Sequence, residues 1–321
     1  MDLLQDINTL TPWFFPAMVF VLGACVGSFL NVCIYRIPAE KSVVTPGSTC
    51  SCGTRIAWYD NIPIFSWLIL RGRARCCARP FSIRYPVVEL VTALLFLASW
   101  MHHPPAKALV GMVFIAIMLC AGLIDLDHMF IPDRFAIGGA VVGVLISTIV
   151  PSLHDQAVTA FWPIDSMRGM IEAITGVFVG SGLVLWIRLL AEVILRKEAM
   201  GFGDVKFLGA IGAFTGWEGA VFAVFGGAVL GTVWFGLVAL FNLVIRRKRA
   251  RDPLGPPAGT SASEAIEAPE ENELESEAFT MGSETPYGPM LAAGALLYFL
   301  WLHAVVDAYF ADLWALLTDF S

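Results

Sequence analysis

"MGFGDVKFLGAIGAF", Met200 to Phe214, sets an acid and a base inside an apolar run punctuated by glycine. The reading of its Val205–Thr215 portion decides how often the chain crosses a membrane. About a dozen helical residues rise only ~18 Å, short of the roughly 30 Å hydrocarbon core. The segment spans only if its helix extends back through the Gly-rich stretch.

Composition makes a membrane the setting. Of 321 residues, 57% are apolar and only 15% charged, with a mean hydropathy of +0.73, far from the balance of a soluble domain. The chain reads as an all-α polytopic membrane protein. Apolar runs of spanning length are centred in Pro12–Ile34, Tyr85–Met101, Ala106–Ile124, Phe135–Leu153, Met170–Leu195, Ala220–Ile245 and Gly288–Phe310. The net charge of -7 says little about partners, because much of the acidity lies in "SEAIEAPEENELESE". Nothing points to nucleic acid binding.

Basic residues decide between seven spans and eight. They cluster in Arg36–Arg84, at Arg134, at Arg196, Lys197 and Lys206, and in "RRKRAR", Arg246–Arg251. All fall on one side only if Val205–Thr215 is a sixth helix of eight, with both termini outside. The opening "MDLLQDINTL" is acidic and its apolar run is long enough to span, so it reads as a retained first helix rather than a cleavable signal. Residues 1–84 form the first helix and a small cytosolic unit rich in Arg, Pro and Cys. Residues 85–321 form the remaining spans, with a disordered acidic insert at about 251–285.

With eight spans, Asp204 falls at the cytosolic end of the sixth helix. "LIDLDHMFIPDRF" falls at the cytosolic end of the third, so Asp125, Asp127 and Asp133 share that face. One acid at a helix end is ordinarily a solvated cap or a partner for a base such as Lys206. Two acidic motifs on one membrane face are another matter, because ionisable groups at membrane depth are costly and tend to line polar cavities. Two neighbouring carboxylates cannot both ionise easily. One keeps its proton while the other activates water, which is aspartyl-protease chemistry.

"GFGDVKF", "IDLDHMFIPD", "GSFLNVCIYRIP", "YDNIPIFSWLILRG", "RYPVVEL" and the late "PYGP" together closely resemble the bacterial type IV prepilin peptidases, the GxGD-type leader peptidase/N-methyltransferases. The six blocks stand in the family's order along nearly the whole chain. The resemblance implies an inner-membrane enzyme of type IV pilus or type II secretion systems. Such an enzyme cleaves the basic leader of prepilins or pseudopilins on the cytosolic side, after a glycine. It then methylates the new N-terminal residue with S-adenosylmethionine. By position, the family's catalytic pair matches Asp125 and Asp204, while Asp127 and Asp133 read as helix-end hydrogen-bonding groups. The methylating part in the family includes the first loop and its flanking helices. Its cofactor-binding candidates here are Asn31, Arg36, Asn61, Arg84 and Glu89, with Glu89 a candidate acceptor for the amine proton.

Of seven cysteines, Cys25, Cys33 and Cys120 lie in apolar helices and read as small buried hydrophobes. Cys50, Cys52, Cys76 and Cys77 sit in the first loop, and a thiolate quartet on a reducing face points to structural zinc. The family commonly carries two C-x-x-C pairs. "CSC" and "RARCCARP" depart from that, and the adjacent Cys76 and Cys77 make tetrahedral coordination by all four harder. Without metal, the loop either folds on "IAWYDNIPIFSWLIL" or lays that segment in the membrane interface with its two Trp residues as anchors. A protease-only member with a decayed transferase, and a non-enzymatic transporter, are the competing functions.

Overall fold

The computed structural model describes residues 10–154, 159, 161–196, 201–251 and 286–319. Among these, regular structure is helical apart from two isolated β-bridges in the first loop. Most of the acidic insert, at 252–285, lies outside the described residues, as do Lys197 and Met200. Two compact units are distinguished, residues 1–228 with 286–321, and residues 229–285.

The first helix, α1 (Phe14–Arg36), leads into the loop, whose one short helix is α2 (Phe65–Leu70). Then follow α3 (Arg84–His102), α4 (Pro105–His128), α5 (Asp133–Ile149), α6 (Trp162–Leu195) and α7 (Phe202–Arg251). The chain closes with α8 (Gly288–Leu297), a π-helical turn (Tyr298–Leu302) and α9 (His303–Asp319). α1 packs along α3 at very close range. A Cβ on Gly23 would stand 2.7 Å from the Ala93 Cα, and one on Gly27 would stand 2.7 Å from the Glu89 Cα. Small residues four apart are what let apolar helices approach backbone to backbone.

The core is built on α4 and the first part of α7. Phe114, Ile115, Met118, Cys120, Ala121 and Ile124 of α4 are fully buried, as are Phe207, Leu208, Ala210, Ile211 and Ala213 of α7. Runs of fully buried residues on an apolar helix mark the interior of a bundle rather than its lipid-facing rim.

Among the described residues six helices are long and apolar enough to cross a membrane, which fits a polytopic helical protein without reproducing the count of eight. The difference has two local causes. α5 has only 17 residues. α7 joins two helical stretches through a non-helical residue, Gly216, at φ 73° and ψ -177°, a conformation open to glycine alone at little cost. The chain reverses there. Leu208 O and Ala220 Cβ lie 2.7 and 3.1 Å from the point a Gly180 Cβ would occupy, whereas residues twelve apart on a straight helix are separated by about 18 Å. Val205–Thr215 is therefore the first arm of a helical hairpin, packed against α6.

Candidate active site at one end of the bundle

Asp125 ends the apolar stretch of α4, and Met129 closes that helix in the left-handed region, its amide bonded to the Asp125 carbonyl. The turn carries Ile131, which is buried, to the start of α5. Two glycine motifs converge on this one side chain. A Cβ on Gly203 would touch Ile131 Cβ at 3.6 Å, and a Cβ on Gly288 would meet Ile131 Cδ1 at 3.0 Å and Asp125 Oδ2 at 2.6 Å. The Gly288 amide donates to Asp125 Oδ2 at 3.0 Å. "GFGD" and "PYGP" thus meet over "IDLDHMFIPD".

Asp125 and Asp204 are both buried, at 6% and 8% exposure, and stand within electrostatic reach of each other. Burial, with the Asp204 charge nearby, holds the Tyr287 phenol above its ordinary range, and its hydroxyl donates to the Val224 carbonyl at 2.8 Å. The bases of the neighbourhood are engaged elsewhere. Arg84 makes a bidentate pair with Asp127, both bonds 2.7 Å, and Lys206 pairs with Asp133 at 2.7 Å rather than with Asp204. Among the described residues no ion pair reaches Asp125 or Asp204.

The transferase candidates occupy the α1–α3 side. The Asn31 side chain donates to the Tyr85 carbonyl at 3.1 Å, and Arg36 donates to the Ser42 carbonyl at 2.9 Å. Glu89 is buried and accepts the Ile64 amide at 2.7 Å. Asn61 ends a short 3₁₀ turn and is exposed. Four of the five therefore already tie helices and loop together.

The first loop gathers its four cysteines despite their spacing. Their sulfurs all lie within 4.8 Å of one another, with Cys50 to Cys77 at 3.5 Å and Cys52 to Cys76 at 3.3 Å. Two tight turns achieve this. Gly53, at φ 85°, reverses the chain after Cys52, with the Cys50 amide bonded to the Thr54 carbonyl at 2.9 Å. Ala78, at φ 54°, does the same after Cys77, with the Ala74 amide bonded to the Arg79 carbonyl at 2.9 Å. The left-handed residue lets neighbouring thiols face the same point. Tetrahedral zinc with Zn–S near 2.3 Å needs sulfurs about 3.8 Å apart, so the quartet suits such an ion. Hydrogen bonding with Thr54 pulls the Cys52 thiol down to about 6, while the bond to Cys52 pushes Cys76 up to about 12.

A second polar region lies at the opposite end. A cavity of about 200 Å³ is lined by Lys107, His154, Glu172, Glu218, His303 and Asp307 among others. Lys107 and Asp125 sit on one helix, separated by about 27 Å of rise. None of these six residues stands in a recognisable motif.

Fold and site define a polytopic helical membrane protein with two buried carboxylates meeting at one end of the bundle. The Bacterial Peptidase A24 N-terminal domain matches residues 21–103, and the Type IV leader peptidase family matches residues 112–236. The prepilin leader peptidase/N-methyltransferase of Pectobacterium carotovorum is 36% identical over 268 residues, 74% of this chain and 89% of that protein. The one from Myxococcus xanthus is 37% identical over 223 residues, 68% of this chain and 62% of that protein. The one from Pseudomonas putida is 29% identical over 316 residues, 90% of this chain and 92% of that protein. No solved structure is a significant match. The chain belongs to the type IV leader peptidase family.

Proposed function

We propose that the protein removes the leader from type IV prepilins or pseudopilins and methylates the N-terminus so exposed, with Asp125 and Asp204 as the hydrolytic pair. The observation that carries this reading is the convergence of "GFGD" and "PYGP" on Ile131 and Asp125, with the nearby bases held by other acids. One ionised carboxylate takes a proton from water, and the water oxygen attacks the scissile carbonyl carbon. The protonated carboxyl donates to the carbonyl oxygen. The tetrahedral species collapses, the C–N bond breaks, and the amine leaves with a proton from the pair.

Residues 1–84 serve the methyl transfer and residues 85–321 the hydrolysis. S-adenosylmethionine supplies the methyl group. Asn31, Arg36, Arg84 and Glu89 shape that site through their hydrogen bonds, and the exposed Asn61 faces the donor. Zinc held by Cys50, Cys52, Cys76 and Cys77 braces the loop. The site faces the cytosol of the inner membrane, a placement supported by the shared side of the basic clusters.

The test is to incubate purified protein in lipid with a prepilin and methyl-labelled S-adenosylmethionine. Leader loss followed by label on the new N-terminus is expected. Intact prepilin after prolonged incubation with folded protein would end the proposal.

A further inference from the structure

The loop helix α2 is inside out by the standard of a water-soluble helix. Its buried residue is Ser66, 9% exposed, whose hydroxyl donates to the Tyr59 carbonyl at 3.1 Å. Phe65, Leu68 and Ile69 face outward at 64%, 57% and 73% exposure, and Trp58 and Ile62 just before the helix are exposed as well. Trp67 is not part of it. Its ring packs on Gly72 and its indole N–H points to the Phe81 carbonyl at 3.4 Å. A serine inward and three large apolar side chains outward cost free energy in water at roughly 25 cal/mol per Å². The arrangement is favourable where the outside is not water.

The depth of the helix is fixed independently. The Ile64 amide, at the N-terminal edge of α2, is held by Glu89 at 2.7 Å. Glu89 lies five residues into α3, one of the spans, about 7.5 Å below its start. The headgroup layer is about 5–7 Å thick per leaflet. Ile64 itself takes φ 63°, an unusual conformation for a β-branched residue. Beyond the helix, Arg71, Arg73 and Arg79 are exposed, while Arg75 is committed to Asp60 at 2.8 Å. An apolar face edged by arginines is the pattern of helices that lie at the acyl–headgroup boundary.

We propose that α2 is such an interfacial helix, with Phe65, Leu68 and Ile69 among acyl chains and the arginine rim at lipid phosphates. The occupant of this surface is the bilayer that holds the protein's own spans, and at the start of α3 Ile83 and Tyr85 are exposed as well. The cysteine hairpins then stand at headgroup level, tethered by Glu89 on one side and α2 on the other. The proposal does not depend on which reaction the protein performs.

Photo-crosslinking in native membranes tests it. The full-length protein is made with benzoylphenylalanine in place of Leu68, of Ile69 or, as a water-facing control on the same loop, of Glu40, which is exposed. All three side chains are exposed, which keeps the disturbance of the fold small. After irradiation, mass spectrometry should find phospholipid adducts at Leu68 and Ile69 at several-fold the level at Glu40. Adducts to a protein at those two positions, whether a second copy or another chain, would overturn the assignment, as would lipid adducts no more abundant than at Glu40.

Discussion

The two ends of the bundle hold carboxylates in opposite ways. At one end Asp125 and Asp204 sit near backbone amides, with Arg84 and Lys206 drawn off by Asp127 and Asp133. At the other, Glu172, Glu218 and Asp307 share a cavity with Lys107, His154 and His303, and Tyr298 donates to Asp307 at 2.6 Å. Charges of both signs in one cavity compensate each other and hold a structure together. Carboxylates kept apart from cations are left able to exchange a proton. We propose that the chemistry sits at the Asp125 and Asp204 end, because reactivity follows the company a carboxylate keeps.

The largest effect that could break this contrast is at the paired end. Asp125→Asn keeps size but removes the acid–base group, and leader cleavage should fall roughly 10⁴-fold, followed by the mobility shift of a prepilin on gels. Next is Gly288→Ala, whose methyl would stand 2.6 Å from Asp125 Oδ2. Displacing a reacting group by about 1 Å costs on the order of 10²-fold, and the loss should appear in kcat with the protein still folded. Glu172→Gln at the far end, a half-buried position, should leave cleavage within about tenfold and instead lower stability by about 1 kcal/mol, read from thermal unfolding in detergent. A folded Glu172→Gln protein that cannot cleave would erase the distinction between the ends. Smallest is Asp127→Asn, which gives up a half-exposed pair with Arg84 worth about 1 kcal/mol or less; cleavage should stay near parental.

The cysteine loop sharpens the same point from the transferase side. Changing Cys50 and Cys76 together to Ser should abolish zinc binding, measured by metal analysis of purified protein, and weaken methylation before cleavage. Full methylation in a zinc-free parental protein would remove the metal from the account.

The shared placement of Asp125 and Asp204 was legible in the sequence because each sits in a short motif with unusual residues around it. The Gly288 amide was not, since a backbone donor has no signature beyond the "PYGP" that carries it. Lys206 invited pairing with its neighbour Asp204, yet side chains two apart on a helix do not face each other, and Asp133 takes it instead. The cysteines were visible, but their convergence depends on left-handed Gly53 and Ala78, and Ala78 gives no hint of φ above zero. The reversal at Gly216 hides in a run that is apolar on both sides. The far cavity was invisible for a different reason. Lys107, Glu172, Glu218 and Asp307 are single polar residues scattered over four segments, and only the fold unites them.

The central claim is that Asp125 and Asp204 act as one hydrolytic pair, apart from the transferase residues. It is met most directly by Asp204→Asn, assayed in lipid with two substrates, an intact prepilin and a peptide that already carries a free N-terminal Phe. The account predicts that leader cleavage disappears while methylation of the free peptide continues at the parental rate. Cleavage of the intact prepilin at a near-parental rate would contradict it.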